Sequence, residues 1–153
     1  IGSALQLTLA NNAARPVRYR MKKHTATSYA ARTMVWSGPI LALFIVYHIL
    51  HFTVGYTMGL GYEHSPPDAN GLPNVYQNMV MSFRVPWCVG AYTVAMLALG
   101  LHLYHGAWSL MQSLGLNHKR YNETVRSAAS AVAIATVVGF LSVPIGIYLG
   151  WIS

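Results

Sequence analysis

Four histidines lie in pairs, three residues apart, inside two long runs of sequence that contain no charged residue: His48, His51, His102 and His105. The uncharged runs extend over 33–62 and 85–117. An imidazole in such a run can hydrogen-bond to a neighbouring helix, carry a proton, or act as an axial ligand to a haem iron. Ionisable side chains within membrane spans are costly and commonly mark functional sites, so both pairs are candidates for chemistry.

The surroundings of His102 are compatible with a flat ligand and equally with a simple packing role. Small residues fall near its helical face at three- and four-residue steps: Ala91, Ala95, Gly106, Ser109 and Ser113. A helix face of small side chains leaves room for a planar group beside the backbone. The alternative is a hydrogen bond from a buried histidine in a closely packed helical bundle.

The elements that would position these histidines are membrane-spanning helices. The sequence predicts three complete spans at about 34–59, 86–113 and 127–151, each long enough for a bilayer core of about 30 Å. The apolar segment 1–10 reads as the end of a preceding helix, followed by a polar connector. We therefore predict an all-α transmembrane helical bundle that forms a single domain over 1–153.

Composition supports this class and excludes several others. The chain has 153 residues, of which 54% are hydrophobic and 8% charged, whereas soluble domains have about 25% charged residues. The single cysteine, Cys88, excludes an intrachain disulfide framework and a cysteine-based cluster within this chain. The net charge of +7 reflects basic loops rather than a nucleic-acid partner.

The basic residues are distributed asymmetrically along the predicted topology. Six lie in the connector before the first span and three in the loop before the last one: Arg15, Arg18, Arg20, Lys22, Lys23, Arg32, Lys119, Arg120 and Arg126. The loop 60–84 has one basic residue. The positive-inside rule places the two basic loops in the cytoplasm. The connector could also bind lipid phosphates or an acidic partner protein.

Three segments carry a resemblance to a known family: ALQLTLANNAARPVRY, GPILALFIVYHILHFT and LGLHLYHGAWSLMQSLGLN. They resemble the single-subunit di-haem cytochrome b anchor of succinate dehydrogenase or fumarate reductase, respiratory complex II. The resemblance covers most of the chain and implies five helices, two b haems and one axial histidine from each of four helices. This chain resembles the family from the end of its second helix onward.

The resemblance also implies which histidines bind haem. The third family helix matches at Gly38, Phe44 and His48, and the fourth matches at His102, Gly106 and Trp108. His48 and His102 are thus the implied axial ligands of the haem irons. Each family haem pairs one of these with a histidine from an earlier helix, so we expect about two further histidine-bearing spans, in the same polypeptide or in a separate subunit.

The residues alone leave the number of haems open. From the predicted span ends, His48 and His102 differ in depth by only some 5 Å at the rise of an α-helix, so one haem between them is not excluded. His51 and His105 point about 60° away from the preceding ligand candidate, and we expect each to hydrogen-bond to a neighbouring helix or to a haem propionate. The remaining histidines, His24, His64 and His118, are expected to be solvated, and His64 beside Glu63 is a weak candidate for proton exchange.

The function implied by the resemblance is electron transfer between membrane quinone and an iron–sulfur subunit that docks on the basic cytoplasmic face. That subunit and a flavoprotein subunit would carry out the succinate or fumarate chemistry. The expected location is the bacterial cytoplasmic membrane, in contact with lipid, and a higher oligomer is compatible with it. Two alternatives stay open: the di-haem cytochrome b of a formate dehydrogenase or hydrogenase, and a haem-free transporter or scaffold with a histidine proton relay.

Overall fold

The structure is a computed structural model that describes residues 2–14, 28–56, 63–67, 69–116 and 118–153. These residues form five α-helices and one π-helical segment, and they contain no strand. In chain order the elements are α1 (Gly2–Ala13), α2 (Tyr29–His48), the π-helix (Ile49–Val54), α3 (Val75–Phe83), α4 (Pro86–Ser113) and α5 (Asn122–Tyr148).

Within the described ranges, three helices are long and apolar enough to cross a membrane. They are Tyr29–Val54 with 26 residues, Pro86–Ser113 with 28 and Asn122–Tyr148 with 27. Each exceeds the bilayer core of about 30 Å at helical rise. The predicted fold class, an all-α transmembrane bundle, is confirmed, and the chain is a multi-pass membrane protein.

The second of these helices has the predicted bounds, whereas the first lies closer to the N-terminus than 34–59. Ser28 caps α2, since its hydroxyl accepts a hydrogen bond from the backbone amide of Ala31 at 3.2 Å. The π-helix that continues α2 ends before Gly55, whose φ of +79° is the left-handed conformation that stops a helix. The predicted helix bounds followed the ends of the uncharged run, whereas the helix begins and ends at its capping residues.

Local capping likewise sets the bounds of α5, which begins before the predicted 127 and ends before 151. Its first turn contains Glu123, and an acidic side chain is favourable there because it faces the positive end of the helix dipole. At the other end, the amide of Trp151 donates to the carbonyl oxygen of Gly146 at 2.8 Å. Gly150 adopts a φ of +76°, which completes a Schellman cap.

The central element is α4, which packs against α2 on one side and α5 on the other. The short helix α3 packs against the π-helix, α4 and α5. We call this region the capped end; it comprises the π-helix, α3, the start of α4 and the end of α5. The opposite end, with the start of α2, the end of α4 and the start of α5, is the open end.

The buried hydrophobic cluster of the described residues lies at the capped end: Val80, Phe83, Cys88, Tyr92 and Ile147. The short helix α3 contributes Val80 and Phe83, which are buried, while its Tyr76 is exposed. Asn74 caps this helix by accepting a hydrogen bond from the amide of Gln77 at 3.1 Å. The capped end is therefore held together within the chain.

A close approach between α4 and α5 lies nearer the middle of the bundle. A Cβ placed on Gly100 would lie 2.7 Å from Cγ2 of Val137, so only glycine allows this contact without rearrangement. Beside it an open groove of about 510 Å³ runs between the two helices. Its wall is mostly aliphatic, with Tyr104 and Ser130 among the lining residues.

Candidate functional site

His48 is the last residue of α2 and is exposed on the surface of the described chain. Its Nδ1 lies 3.0 Å from the hydroxyl oxygen of Tyr92 on α4. The ring also lies beside Phe44, one turn earlier, at 5.9 Å between ring centroids, and beside Phe52 at 5.6 Å. The imidazole is thus held by a hydrogen bond on one nitrogen and by aromatic neighbours along its helix.

His102 has a corresponding partner on the opposite helix. Its Nδ1 lies 3.1 Å from the hydroxyl oxygen of Ser37 on α2. Ser37 is buried, with 3% of its surface exposed, while His102 is half-buried. In both cases a hydroxyl of the neighbouring helix contacts Nδ1 of the candidate ligand.

These two hydrogen bonds fix the relative depth of the candidate ligands. Ser37 pairs with His102, and His48 pairs with Tyr92, so α2 and α4 run antiparallel and are joined by two hydrogen bonds. These hydrogen bonds are about three turns apart on each helix, which corresponds to about 15 Å at the rise of an α-helix. The expected depth difference of some 5 Å is therefore wrong, because α2 begins at Tyr29 and places His48 near the capped end.

The hydrogen-bonding pattern fits the needs of a metal-bound imidazole. Histidine ligands usually donate their second ring N–H to a fixed acceptor, which sets the tautomer and the ring orientation. With Nδ1 of His48 and His102 on hydroxyl oxygens, Nε2 is the nitrogen that can bind iron. The described residues contain no group of three or more His, Cys, Asp or Glu side chains that could hold a metal ion, whereas a haem takes only axial ligands from the protein.

His51 lies in a different environment from His48. It is fully buried, and its ring stacks on Tyr47 at 5.2 Å between centroids and lies 4.2 Å from that of Phe52. Its Nδ1 is 3.2 Å from the hydroxyl oxygen of Tyr92, which is the expected hydrogen bond to a neighbouring helix. The enclosing aromatic rings make His51 a poor candidate for an axial ligand.

The expectation that His64 is solvated is wrong. This residue is half-buried, and its ring lies 6.2 Å from that of His51, because the segment 63–67 folds over the π-helix. The amide of Ser65 donates to Oδ1 of Asn78 on α3 at 2.7 Å and holds the segment in place. A loop position in the sequence does not reveal such packing.

The other histidines add little to the site. His105 is half-buried on α4 and makes no side-chain hydrogen bond within the part of the chain that the structure describes, so the bond expected for it is not found there. His118 is exposed, as predicted. His24 lies outside the described residues.

Two functional residues were missed by the sequence reasoning: Tyr92 and Ser37. Both are polar side chains inside uncharged runs, and a buried hydroxyl in a membrane span needs a partner. That signal was present in the sequence. Pairing each hydroxyl with its histidine, however, requires the register of α2 against α4, which the sequence alone does not supply.

The open end has exposed basic side chains: Arg32, Lys119, Arg120 and Arg126. The guanidinium of Arg126 also lies 4.5 Å from the ring centroid of Trp108, in a cation–π contact between α5 and α4. The other basic residues of the connector lie outside the described residues: Arg15, Arg18, Arg20, Lys22 and Lys23.

The fold and the site together define a helical, multi-pass membrane protein. Two histidines at different depths each contact a hydroxyl of the neighbouring helix. Comparison of the chain with protein-family models, with curated proteins and with solved structures gives no match.

Proposed function

We propose that the chain is the membrane-anchor cytochrome b of a succinate:quinone oxidoreductase, in which b haem carries electrons between an iron–sulfur subunit and membrane quinone. One observation supports this most directly: the Nδ1 atoms of His48 and His102 both face a hydroxyl of the neighbouring helix. This arrangement suits imidazoles that bind a metal through Nε2. The resemblance in sequence selects the same two histidines.

The depth difference favours two haem sites over one shared site. A single haem held by both His48 and His102 would need their imidazoles at similar depth. His48 and His102 are about 15 Å apart along their helices. Neither α3 nor α5 contains a histidine, so each site takes its second imidazole from a helix beyond the described ones.

The exposed basic side chains at the open end suit an acidic soluble partner. Arg32 is on α2, and Lys119 and Arg120 precede α5. Together with the connector they would place the iron–sulfur and flavoprotein subunits at this end, on the cytoplasmic side of a bacterial inner membrane. His102 is the candidate ligand closer to that end, and His48 is closer to the capped end.

The test is a reduced-minus-oxidised spectrum of the purified native complex, with haem quantified in single variants. His48→Ala and His102→Ala should each lose one haem and keep the other, because their sites are separate. His51→Ala and His105→Ala are the matched controls, since each removes an imidazole three residues away, and both should retain two haems. Full haem content in the first two variants would overturn the assignment.

The same preparation discriminates the alternatives. A complex without b-type bands would point to a haem-free transporter or scaffold. Haem together with co-purified formate dehydrogenase or hydrogenase subunits would assign the chain to another respiratory enzyme. Succinate-reducible haem with a flavoprotein and an iron–sulfur subunit is the expected result.

A further inference from the structure

One hydroxyl at the capped end serves two imidazoles. The oxygen of Tyr92 lies 3.0 Å from Nδ1 of His48 and 3.2 Å from Nδ1 of His51. Tyr92 is buried, with 6% of its surface exposed, and His51 is fully buried. The residues His48, Tyr92 and His51 therefore form a continuous line of hydrogen-bonding groups that runs from the surface into the protein.

Proton counting restricts how this line is arranged. A tyrosine hydroxyl has one hydrogen to donate, and a neutral imidazole has one N–H. Tyr92 can therefore donate to only one of the two Nδ1 atoms, and the other imidazole must donate to Tyr92. Two arrangements use the hydroxyl hydrogen of Tyr92 within these two contacts, and they differ in the direction of both hydrogen bonds.

Metal binding at His48 would select one of these two hydrogen-bond arrangements. An imidazole that binds iron through Nε2 carries its proton on Nδ1. His48 must then donate to the oxygen of Tyr92, and in the matching arrangement Tyr92 donates to Nδ1 of His51. In this direction His51 accepts from Tyr92, and its own proton is on Nε2.

The aromatic neighbours keep the three groups in place. The ring of Tyr92 is held edge-on by Phe44 and Phe83, each at 4.9 Å between centroids. His51 is stacked on Tyr47 at an interplanar angle of 22°. Rotation of the Tyr92 or His51 ring would lose packing contacts in a buried cluster. The fold therefore directs the hydroxyl of Tyr92 at both Nδ1 atoms.

We infer that Tyr92, itself oriented by His51, is a positioning residue that fixes the Nδ1–H tautomer of His48 and lowers the reduction potential of a haem bound there. This inference rests on the proposed function. A hydrogen bond from Nδ1–H makes a metal-bound imidazole a stronger donor, which stabilises ferric iron. The donation from Tyr92 to His51 polarises the hydroxyl oxygen and makes it a better acceptor.

The site at His102 provides an internal comparison. Ser37 contacts Nδ1 of His102 at 3.1 Å, and the described residues show no second imidazole behind its hydroxyl. The reduction potential of a haem at His48 therefore depends on two successive hydrogen-bonding residues, whereas that of a haem at His102 depends on one. Substitutions in the line from His48 to His51 should change one haem and leave the other unaltered.

The experiment is a potentiometric titration of both haems in the intact complex carrying Tyr92→Phe. The haem assigned to His48 is the component that is missing from His48→Ala. We expect its equilibrium constant for reduction to rise about tenfold, which is an upward shift of about 59 mV for a one-electron couple. The electron paramagnetic resonance of its ferric form should shift as well, while the other haem keeps its potential.

Two control variants separate this effect from a general loosening of the cluster. Tyr47→Phe removes a hydroxyl from the same cluster and keeps the ring beside His51, so neither potential should change. Ser37→Ala should alter only the haem at His102. An unchanged potential at His48 in Tyr92→Phe would overturn the inference and leave the proposed function standing, whereas a native complex without haem would overturn both.

A second pair of variants decides the matter if Tyr92→Phe does not assemble. His51→Leu removes the terminal acceptor and should raise the potential of the haem at His48. His51→Asn places an amide oxygen near the position of Nδ1, so it should restore most of the native value. Equal potentials in these two variants would contradict the inference.

Discussion

The two ends of the bundle satisfy their polar groups in different ways. At the capped end, His51, Asn78 and Ser82 are buried, and their partners come from this chain. At the open end, large side chains such as Trp36 and Leu110 are exposed, at 72% and 53%. The capped end therefore satisfies these buried polar side chains within the chain, while the exposed basic side chains of the open end are available to soluble partners. The predictions below test this contrast.

The expected effect on partner binding is at the open end and rests on the proposed docking of soluble subunits. Reversing two exposed charges, Lys119→Glu with Arg120→Glu, should weaken retention of those subunits about tenfold at low salt, because rim charges steer and orient an acidic partner. Co-purification over a salt series measures it. Arg84→Glu, an exposed charge beside the capped end, is the control and should have no effect. Equal retention would reduce the basic face to a topology signal.

A cavity in the buried cluster should cost more than the same change on an exposed surface. Ile147 is 2% exposed, whereas Ile134 on the same helix is 62% exposed. Ile147→Ala should lower the free energy of unfolding by about 2–5 kcal/mol, and Ile134→Ala should change it little. Denaturation in detergent, followed by circular dichroism, checks the difference. Similar losses would mean that the capped end is not the stable part of the bundle.

The contact between α4 and α5 should tolerate no added methyl group at its closest point. Gly100→Ala should destabilise the bundle by about 1–3 kcal/mol, since the new Cβ would meet Cγ2 of Val137 at 2.7 Å. Gly139→Ala on α5 is the control, because nothing lies within 4 Å of its Cβ position. The same unfolding measurement applies. A more stable Gly100→Ala protein would show that the two helices separate readily.

The smallest expected effect is the loss of the cation–π contact at the open end. Arg126→Gln should cost about 0.5–1 kcal/mol, the usual range for an exposed pair, and Trp108→Leu in the same background should add no further loss from this contact. A double-mutant cycle measured by thermal unfolding isolates the term. Strict additivity of the two substitutions would show that the 4.5 Å contact contributes nothing.

The sequence predicts the fold better than the helix ends. The bounds of α4 agree with the prediction because Pro86 starts the helix and Gly115 ends it, with a φ of +75°. The first span was displaced because hydropathy does not register a cap such as Ser28. For α5, the prediction began after the last charge, although the acidic Glu123 is favourable in the first turn and the exposed Arg126 lies in the second.

The candidate site could be predicted only in part. Uncharged context singled out the two histidine pairs, and the family resemblance then selected His48 and His102 as the candidate ligands, while helical angles indicated that His51 points elsewhere than His48. The contacts of Tyr92 and Ser37 depend on how two helices slide past each other, and a shift by one turn would pair different residues. The burial of His64 depends on a loop that folds back, which local pattern does not encode.

The π-helix that follows His48 makes this part of the chain sensitive to the number of residues as well as to their identity. Its six residues, Ile49–Val54, include one more per hydrogen-bonded turn than an α-helix accommodates. Deleting one of them would allow a regular α-helix and rotate the residues that follow by about 100°. Deleting Ile49 or Leu50 would turn His51 away from Tyr92 and Phe52 away from Phe83, even with every histidine still present.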